Sequence, residues 1–292
     1  MNLETKIFAL NRRGVFNWMS DKMFVKFMFR VRMKKKLDLK NPKTFNEKLN
    51  WLKLYDRKDI YTTMVDKYEV KKYIAEKIGE EYIIPTLGVW DRFDEIDFDS
   101  LPNQFVLKCT HDSGGLAICK NKADFDKEKA RQKIEKSLSR NFFWHSREWP
   151  YKNVKPRIIA EQYMEDSETS ELRDYKFMCF NGEAKCSFVC SDRFTEDGLH
   201  VTFFDREWNV MPFERHYPHR KDGIKKPENY DKMLGLAEKL AKNIPFVRVD
   251  FYEVEGRIYF GELTFFPGAG LEEFTPEEWD YTLGSWIKLP QK

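Results

Sequence analysis

Two carboxylates near the end of the chain, Asp250 and Glu262, have the spacing of partners across a β-hairpin. Residues 246–252 and 258–264 are rich in β-branched and aromatic side chains, and Glu255-Gly256-Arg257 lies between them as a turn. A three-residue loop pairs Asp250 directly with Glu262. Facing carboxylates repel each other unless a cation lies between them, and Mg²⁺ commonly binds carboxylates together with substrate phosphates. The sequence therefore predicts a magnesium site on this hairpin.

The two faces of the predicted hairpin differ in polarity, because successive side chains of a strand point to opposite sides. The apolar face is predicted to consist of Val247, Val249, Phe251, Tyr259, Leu263 and Phe265. The polar face is predicted to carry Arg248, Asp250, Glu262 and Thr264. In an alternative interpretation this face is exposed, and Arg248 pairs with one of the acids. If the carboxylates repel each other, a variant that neutralises either one is expected to lose little stability.

A lysine in the middle of an apolar strand is the second candidate for chemistry. Residues 105–109 predict a strand that contains Lys108, and the loop Ser113-Gly114-Gly115 follows shortly after it. A buried ammonium group without a partner is costly, and a bound phosphate would supply the partner. The backbone N–H groups of the loop are suited to the same phosphate, although the alternative is that the two glycines only turn the chain. The sequence signatures of a P-loop, a Rossmann dinucleotide site and a protein kinase catalytic loop are absent.

A third group of polar residues precedes the predicted turn at Asn181-Gly182. Asp174 and Lys176 share one face of the strand before this turn, and Tyr175 and Phe177 share the other. The polar pair is interpreted either as part of a functional site or as an ion pair on an edge strand.

The composition is that of a globular protein. The chain has 292 residues, of which 41% are hydrophobic and 16% aromatic, and this supports a substantial core. Five dispersed cysteines without a CxxC pair favour a reduced protein over a disulfide scaffold or a zinc site. No uncharged apolar run approaches the length of a membrane span, and a secretory signal is not recognised. A cytoplasmic location is therefore expected.

Helices are predicted to come first along the chain, followed by mixed strands and helices. Residues 1–36 have an amphipathic helical pattern, Thr44 and Glu47 have capping-box spacing, and a third helix is predicted from Val65 to about Ile78. Strands are predicted at residues 105–109 and 158–162, in a hairpin around residue 181 and as a further pair near residues 186–204, and helices at about 123–140 and 228–242. This order predicts an α+β enzyme.

The first 40 residues contain eleven Lys and Arg against three acidic residues, although the net charge of the chain is only +3. Within residues 22–36, basic residues alternate with Phe24, Phe27, Phe29 and Val31. This pattern is typical of helices that lie on anionic membranes, so peripheral contact with the inner face of the cell membrane or with an acidic polymer is one expectation. In the alternative, the apolar residues belong to the core and the charges line its flank. Nucleic-acid binding is not expected.

Taken together and in order, these segments resemble the ATP-grasp superfamily, and more closely its TupA-like branch, which is named for teichuronopeptide biosynthesis. The resemblance extends from about Asn41 to Pro290. Its most specific motifs are Pro42-Lys43-Thr44-Phe45-Asn46-Glu47-Lys48, Phe105-Val106-Leu107-Lys108, Asp174-Tyr175-Lys176-Phe177, Arg248-Val249-Asp250 and Phe260-Gly261-Glu262-Leu263-Thr264. The resemblance implies an α+β ATP-grasp fold, in which two α+β subdomains clasp ATP, preceded by a small and mainly helical N-terminal region.

The resemblance also implies a role for each matching residue. The residues implied to bind the ATP phosphates are Lys67, Lys108, His111, Ser113, Gly114 and Gly115. The implied adenine contacts are Glu161, Gln162, Tyr163 and Met164, and the implied ribose contact is either Glu168 or Asp174. The residues implied to act on the transferred phosphoryl group are Lys176, Arg193 and Arg248. The implied magnesium ligands are Asp250, Glu262 and Thr264, and the superfamily usually has Asn at the last of these positions.

The implied organisation has three parts. Residues 1–92 form a helical region that includes residues 22–36, here called the basic arm. Residues 93–160 form a small subdomain with Lys108, and residues 161–292 form a large subdomain with the hairpin. ATP-grasp enzymes generally activate a carboxylate as an acylphosphate, which an amine then attacks. The TupA-like branch implies an ATP- and Mg²⁺-dependent ligase of surface polysaccharide biosynthesis. Such an enzyme would join an amino acid or another amine to a sugar-acid carboxylate through an amide bond.

Other activities match parts of the sequence. Asp97-Phe98-Asp99 has the DxD pattern by which many glycosyltransferases of cell-surface glycan synthesis bind a metal and a sugar diphosphate, although its acidic surroundings favour a loop. An ATP-dependent kinase acting on a sugar or a lipid would use the same nucleotide site. The combination of Lys108, Lys176, Asp250 and Glu262 argues against a catalytically silent scaffold.

Overall fold

The computed structural model describes residues 2–165, 172–191 and 198–291, which form a mixed α+β fold with helices first, as predicted. Helices α1 to α9 span Leu3–Arg12, Asp21–Met33, Phe45–Tyr55, Ile60–Val65, Glu69–Lys77, Lys127–Leu138, Phe143–Ser146, Tyr230–Ala241 and Glu278–Trp286. Strands β1 to β11 span Thr86–Trp90, Phe105–Cys109, Leu116–Cys119, Ile158–Gln162, Asp174–Phe180, Glu183–Ser191, His200–Phe204, Glu214–Arg215, Phe246–Val254, Arg257–Thr264 and Phe274–Thr275. Within these ranges, no helix is long and apolar enough to cross a membrane.

The N-terminal helices pack their apolar sides into the main core. Helix α2 follows the N-cap Ser20, whose hydroxyl accepts a hydrogen bond from the backbone N–H of Met23. Its buried residues are Phe24, Val25, Met28 and Phe29. The apolar residues of the basic arm therefore belong to the core, which is the alternative that the sequence left open. Several lysines of the arm are exposed on its flank, and their contact with an anionic membrane stays a prediction.

The predicted third helix corresponds to α5, which begins at Glu69 and not at Val65, the residue at which the short helix α4 ends. The Asp66 carboxylate accepts hydrogen bonds from the backbone N–H groups of Tyr68 (2.8 Å) and Glu69 (3.2 Å) and pairs with Arg157 (2.9 Å). An aspartate side chain that bonds nearby N–H groups competes with the helical hydrogen-bond pattern. The predicted helix is therefore confirmed over α5, and its predicted start at Val65 was wrong for this reason.

The first sheet is antiparallel and has the strand order β1-β4-β2-β3. Strands β2 and β4 have the predicted bounds. One face packs on α6 around Phe105, Leu107 and Ile134. The sequence analysis placed the small subdomain at residues 93–160. The first sheet extends beyond this segment on both sides, because β1 precedes residue 93 and β4 continues past residue 160.

The second sheet has the strand order β10-β9-β5-β6-β7 and is also antiparallel. Strands β9 and β10 form the predicted hairpin, in which Asp250 pairs with Glu262. On its other side β9 pairs with β5, which places Lys176 opposite Asp250. Tyr175 and Phe177, which the sequence placed on the face of β5 opposite Asp174 and Lys176, are buried in the core. Three adjacent strands therefore bring one lysine and two carboxylates together.

A β-bulge in β10 changes part of the predicted apolar face. Arg257 pairs with Val254, so the turn has two residues and the prediction of a three-residue turn was wrong. The register then shifts between Phe260 and Glu262, where Gly261 is an extra residue that restores the predicted pairing of Asp250 with Glu262. The extra residue reverses the alternation before the bulge, where Ile258 and Phe260 are buried and Tyr259 is only half-buried. The prediction that Tyr259 belongs to the apolar face was therefore wrong.

Two helical glycines are expected to respond in opposite ways to replacement by alanine. A Cβ atom at Gly284 in α9 would lie 2.3 Å from the carbonyl oxygen of Lys43, whereas one at Gly235 in α8 would have no neighbour within 4 Å. Gly284→Ala is expected to lower the free energy of unfolding by about 1–3 kcal/mol through overpacking. Gly235→Ala is expected to raise it by about 0.5–1 kcal/mol through helix propensity. Urea unfolding of both variants measures this, and equal effects would contradict the close packing of α9 on the start of α3.

Candidate nucleotide-binding site

A cavity of about 390 Å³ is lined by residues of both sheets and of α5. Its cationic lining residues are Lys67, Lys71, Lys108, Lys176 and Arg248. Its acidic lining residues are Asp112, Glu161, Asp174 and Glu262. The structure thus brings together the lysines, the loop and the hairpin that the sequence predicted for one site, and it adds Lys71.

On the side of the first sheet, Glu161 of β4 holds two of these lysines. Its carboxylate lies 2.7 Å from Nζ of Lys108 and 2.5 Å from Nζ of Lys71. Burial opposes the ionisation of Glu161, but the two ammonium groups together lower its pKa below the ordinary value. The sequence analysis expected a bound phosphate as the partner of Lys108. In this structure, its partner is the carboxylate of Glu161. The side chain of Glu161 therefore pairs with Lys71 and Lys108 in this structure, and its contact with adenine stays a prediction.

Lys67 occupies the break between α4 and α5 and reaches the loop after β2. Its backbone N–H donates to the carbonyl oxygen of Thr110 (3.1 Å), and its ammonium group donates to the carbonyl oxygen of Asp112. Burial lowers the pKa of the Lys67 ammonium. A buried ammonium with a neutral acceptor gains from a bound anion, which agrees with the predicted phosphate contact.

The loop after β2 divides its predicted residues between the cavity and the core. Ser113 and Gly115 line the cavity, whereas Gly114 lines an adjoining one. His111 is buried against α6, where its Nε2 lies 3.1 Å from the carbonyl oxygens of Ser137 and of Arg140. His111 therefore anchors the loop to α6 and does not face the cavity, because its ring satisfies backbone groups at the end of the helix.

The end of β4 carries the other predicted adenine contacts. Gln162 is exposed, and its backbone N–H donates to the carbonyl oxygen of Pro85 (3.0 Å). The Tyr163 hydroxyl donates to Glu165 (3.0 Å), and Met164 is half-buried. These three residues do not line the cavity, and their contact with adenine stays a prediction. Glu168 and Arg193 lie outside the described residues.

On the side of the second sheet, Arg248 lies between the two carboxylates of the hairpin. Its guanidinium donates to both oxygens of Asp250 (2.7 Å each) and to Oε1 of Glu262 (2.5 Å). Lys176 donates to Oδ2 of Asp250 (2.7 Å) and to Asp174 (2.5 Å). The sequence analysis expected Asp250 and Glu262 to repel each other unless a cation lay between them. In the structure, the side chains of Arg248 and Lys176 supply this positive charge. Arg248 pairs with both acids, not with one, and the cluster is largely buried.

The electrostatics of this cluster follow from its burial and its pairing. Burial opposes the ionisation of Asp250, but Arg248 and Lys176 lower its pKa below the ordinary value. Burial likewise opposes protonation of both cations, and the neighbouring carboxylates raise the pKa of each above its ordinary value. All three groups are therefore ionised at neutral pH.

The oxygen atoms of the hairpin fit a magnesium ion that arrives with phosphate ligands. Glu262 lines the cavity with its side chain 44% exposed, and Thr264 Oγ1 donates to its Oε1 (3.2 Å). Asp250 is buried beside them, so a metal would share this carboxylate with Arg248 and Lys176. In the described part of the chain, no three His, Cys, Asp or Glu side chains converge on one point. Magnesium would thus depend on the nucleotide oxygens as well.

Lys71 is a cation of the cavity that the sequence analysis missed. It follows Lys67 by four residues, a spacing that places two side chains on one face of a helix. The spacing would have indicated that the two lysines act together only if both lay on one helix. In the structure, Lys67 lies before α5, which begins at Glu69. Its ammonium group also donates to the carbonyl oxygen of Ile84 (2.6 Å), a contact that depends on tertiary packing.

A charged cavity between two antiparallel sheets, with helices before the first sheet, is the arrangement of an ATP-grasp protein. A profile of the TupA-like ATP-grasp family matches residues 47–288, which is most of the chain. The chain therefore belongs to the TupA-like ATP-grasp family, as its motifs predicted. ATP-grasp enzymes are generally ATP-dependent carboxylate–amine ligases.

Solved structures of ATP-grasp enzymes are distantly similar to this chain. D-Alanine–D-alanine ligase from Bacillus anthracis in complex with ATP has 15% identity and a TM-score of 0.40, over 69% of this chain and 53% of that chain. D-Alanine–D-alanine ligase from Helicobacter pylori has 13% identity and a TM-score of 0.41, over 78% of this chain and 60% of that chain. The ADP complex of N5-carboxyaminoimidazole ribonucleotide synthetase has 14% identity and a TM-score of 0.43, over 70% of this chain and 46% of that chain. The chain thus spans about half of these proteins, and none of the curated proteins matches it.

Proposed function

We propose that this protein is an ATP- and Mg²⁺-dependent ligase that joins an amine to a carboxylate through an acylphosphate. The acceptor would be a sugar acid of a surface polysaccharide or of its lipid-linked precursor, which is what the family suggests. The amine would be an amino acid or another small amine. The observation that carries the proposal is that Lys176 and Arg248 line one side of a cavity whose other side is lined by Lys67 and Lys108.

In the first step, an oxygen of the acceptor carboxylate attacks the γ-phosphorus of ATP. The bond from that phosphorus to the bridging oxygen breaks, and ADP leaves. Negative charge spreads over the transferring phosphoryl group, and fixed cations stabilise it. Lys176 and Arg248 are suited to this role, because Asp250 holds both side chains in place before the reaction. Magnesium bound at the hairpin would supply further neutralisation of phosphate charge.

In the second step, the nitrogen of the amine attacks the acyl carbon. The bond from that carbon to the phosphate oxygen breaks, inorganic phosphate leaves, and the nitrogen loses a proton. This chemistry requires no nucleophile of the protein. Burial raises the pKa of the Cys109, Cys179 and Cys186 thiols, which keeps them protonated and unreactive.

The glycosyltransferase alternative gains no support from the position of its motif. Asp97 and Asp99 are exposed and line neither the nucleotide cavity nor the larger cavity described below. Asp97 accepts a hydrogen bond from the backbone N–H of Asp99 (3.0 Å), as in an ordinary turn.

Nucleotide binding is the first test of the proposal. Millimolar Mg·ATP is expected to raise the thermal midpoint, because a ligand at about 100 times its Kd stabilises the folded state by about 2.7 kcal/mol. Lys108→Met is expected to lose most of this gain. Its apo fold should persist, because Glu161 keeps its ion pair with Lys71. Differential scanning fluorimetry of the purified chain measures both effects.

Lys155→Met is the matched control, because its ammonium group pairs with Asp91 (2.9 Å) and lines neither cavity. This variant should keep the full response to Mg·ATP. If Mg·ATP changes nothing and a UDP-sugar raises the midpoint, the glycosyltransferase alternative replaces the ligase proposal.

A further inference from the structure

A second cavity, of about 560 Å³, adjoins the nucleotide cavity. The two cavities share Ser113, Arg248 and Glu262 in their walls. The remaining walls come from α1, α2, α3, residues 142–151, residues 216–217 and residues 264–272. A ligand in the second cavity would therefore meet a reactive group that forms beside the γ-phosphate. Its volume lies in the ordinary range of small-molecule sites, about 300–1,000 Å³.

Lys53 brings a buried cation into this second cavity. The residue is 1% exposed, and its ammonium group donates to Oδ1 of Asn50 (3.1 Å) and to the carbonyl oxygen of Ala269 (2.7 Å). Asn50 is itself fixed, because its amide group donates to the carbonyl oxygens of Asn46 (2.9 Å) and Gly270 (2.7 Å). An ammonium group has three protons to donate, so one remains for a ligand. No carboxylate of the described residues forms an ion pair with Lys53.

Glu148 brings a buried carboxyl group into the same cavity. The residue is 7% exposed and accepts a hydrogen bond from the Ser146 hydroxyl (2.6 Å). Burial raises its pKa, although the nearby charge of Lys53 opposes this effect. Within the described ranges it has no ion pair with a lysine or arginine.

The other Lys, Arg and Glu side chains in the wall already have partners. Arg32 pairs with Glu4 (2.9 Å), and Glu272 pairs with Arg215 (3.2 Å). Arg248 and Glu262 pair with each other. Lys53 and Glu148 are thus the charged pair of the wall that remains without ion pairs among the described residues. Two buried charges of opposite sign that form no direct ion pair compensate each other only in part, and a ligand that carries the complementary charges would compensate both.

We propose that the second cavity binds a free α-amino acid as the amine substrate, with its carboxylate at Lys53 and its amino group at Glu148. The inference rests on the proposed ligase function and specifies the amine. A simple amine would leave Lys53 without a direct ion-pair partner, and a simple acid would leave Glu148 without one. A zwitterion satisfies both, and its cavity shares the wall at Arg248 and Glu262 with the nucleotide cavity.

Thermal shift of the full chain with Mg·AMPPNP, a non-hydrolysable ATP analogue, tests the inference. The standard amino acids, in both enantiomers, are then added singly. At least one is expected to raise the midpoint further, whereas its α-amide and its N-acetyl derivative are not. Lys53→Met and Glu148→Gln are each expected to weaken that response about tenfold or more while the response to Mg·AMPPNP persists.

Lys48→Met on the same helix is the matched control. Its ammonium group donates to the carbonyl oxygen of Ile287 (2.8 Å) and lies outside both cavities, so the amino-acid response should be kept. If Mg·AMPPNP binds and no amino acid adds to its effect, or if the α-amides act equally well, the amino-acid site is refuted. If Mg·AMPPNP itself does not bind, the ligase proposal fails first. Should Lys53→Met not fold, Glu148→Gln and the amide derivatives decide the matter.

Discussion

Replacement of Asp250 by asparagine is expected to lower the free energy of unfolding by about 3–5 kcal/mol. The carboxylate is almost completely buried and lies 2.7 Å from both Arg248 and Lys176. An amide cannot balance two buried cations, which would keep only Asp174 as the partner of Lys176 and the partly exposed Glu262 as the partner of Arg248. Urea unfolding at neutral pH, followed by circular dichroism, measures the loss.

Glu262→Gln is the natural comparison for this variant. The Glu262 side chain is 44% exposed, so its ion pair with Arg248 is screened by solvent and its loss is expected to cost about 1 kcal/mol or less. Because the pKa of Asp250 is lowered, its contribution is present at neutral pH and is lost as the pH falls through its folded-state pKa. If Asp250→Asn is as stable as the wild type, the carboxylates repel each other as the sequence suggested, and the cations do not pair with them in solution.

The stability of the wild type is expected to rise by about 2–3 kcal/mol relative to Lys53→Met between pH 7 and pH 10. Burial lowers the pKa of the Lys53 ammonium from 10.5 to about 8. Below about pH 8 the group is protonated in both states, and its buried charge opposes folding. Above that pH the folded state releases the proton first, so the unfolded state binds more protons and stability increases with pH.

Urea unfolding of both proteins at several pH values measures this difference. All other ionisable groups are present in both proteins, so the difference reports Lys53 together with its charge interaction with Glu148. A difference that stays constant between pH 7 and pH 10 would show that the ammonium group keeps an ordinary pKa. In that case water or a counter-ion reaches the second cavity, and the charge of Lys53 is not isolated.

Local sequence patterns determined much of the fold of this protein. The hairpin pairing of Asp250 with Glu262, the bounds of β2 and β4 and the capping box of α3 were all predicted and confirmed. Each depends on residues close in sequence or on an alternation of period two, which short-range sterics impose. The family motifs, with Lys108 and Lys176 on their strands, were also visible in the sequence.

Tertiary structure alone decided how the charges of the site are paired. The sequence placed Arg248 on the same face as Asp250 and Glu262, but it did not show that its guanidinium would lie between both acids. Pairing depends on which strands become neighbours, and β5 brought Lys176 opposite Asp250 from 74 residues away. The predicted carboxylate repulsion was wrong for this reason.

The second cavity also depended on distant elements. Lys53 has the pattern of an ordinary helical lysine, and Glu148 lies in a loop. Both side chains are buried without ion pairs among the described residues because α2, α3 and the segment after β10 form the walls around them. The sequence determined the strands and the residues that a nucleotide site requires. Only the packing of the helical region against both sheets decided which charges are buried without partners, because burial and desolvation are set by neighbours distant in sequence.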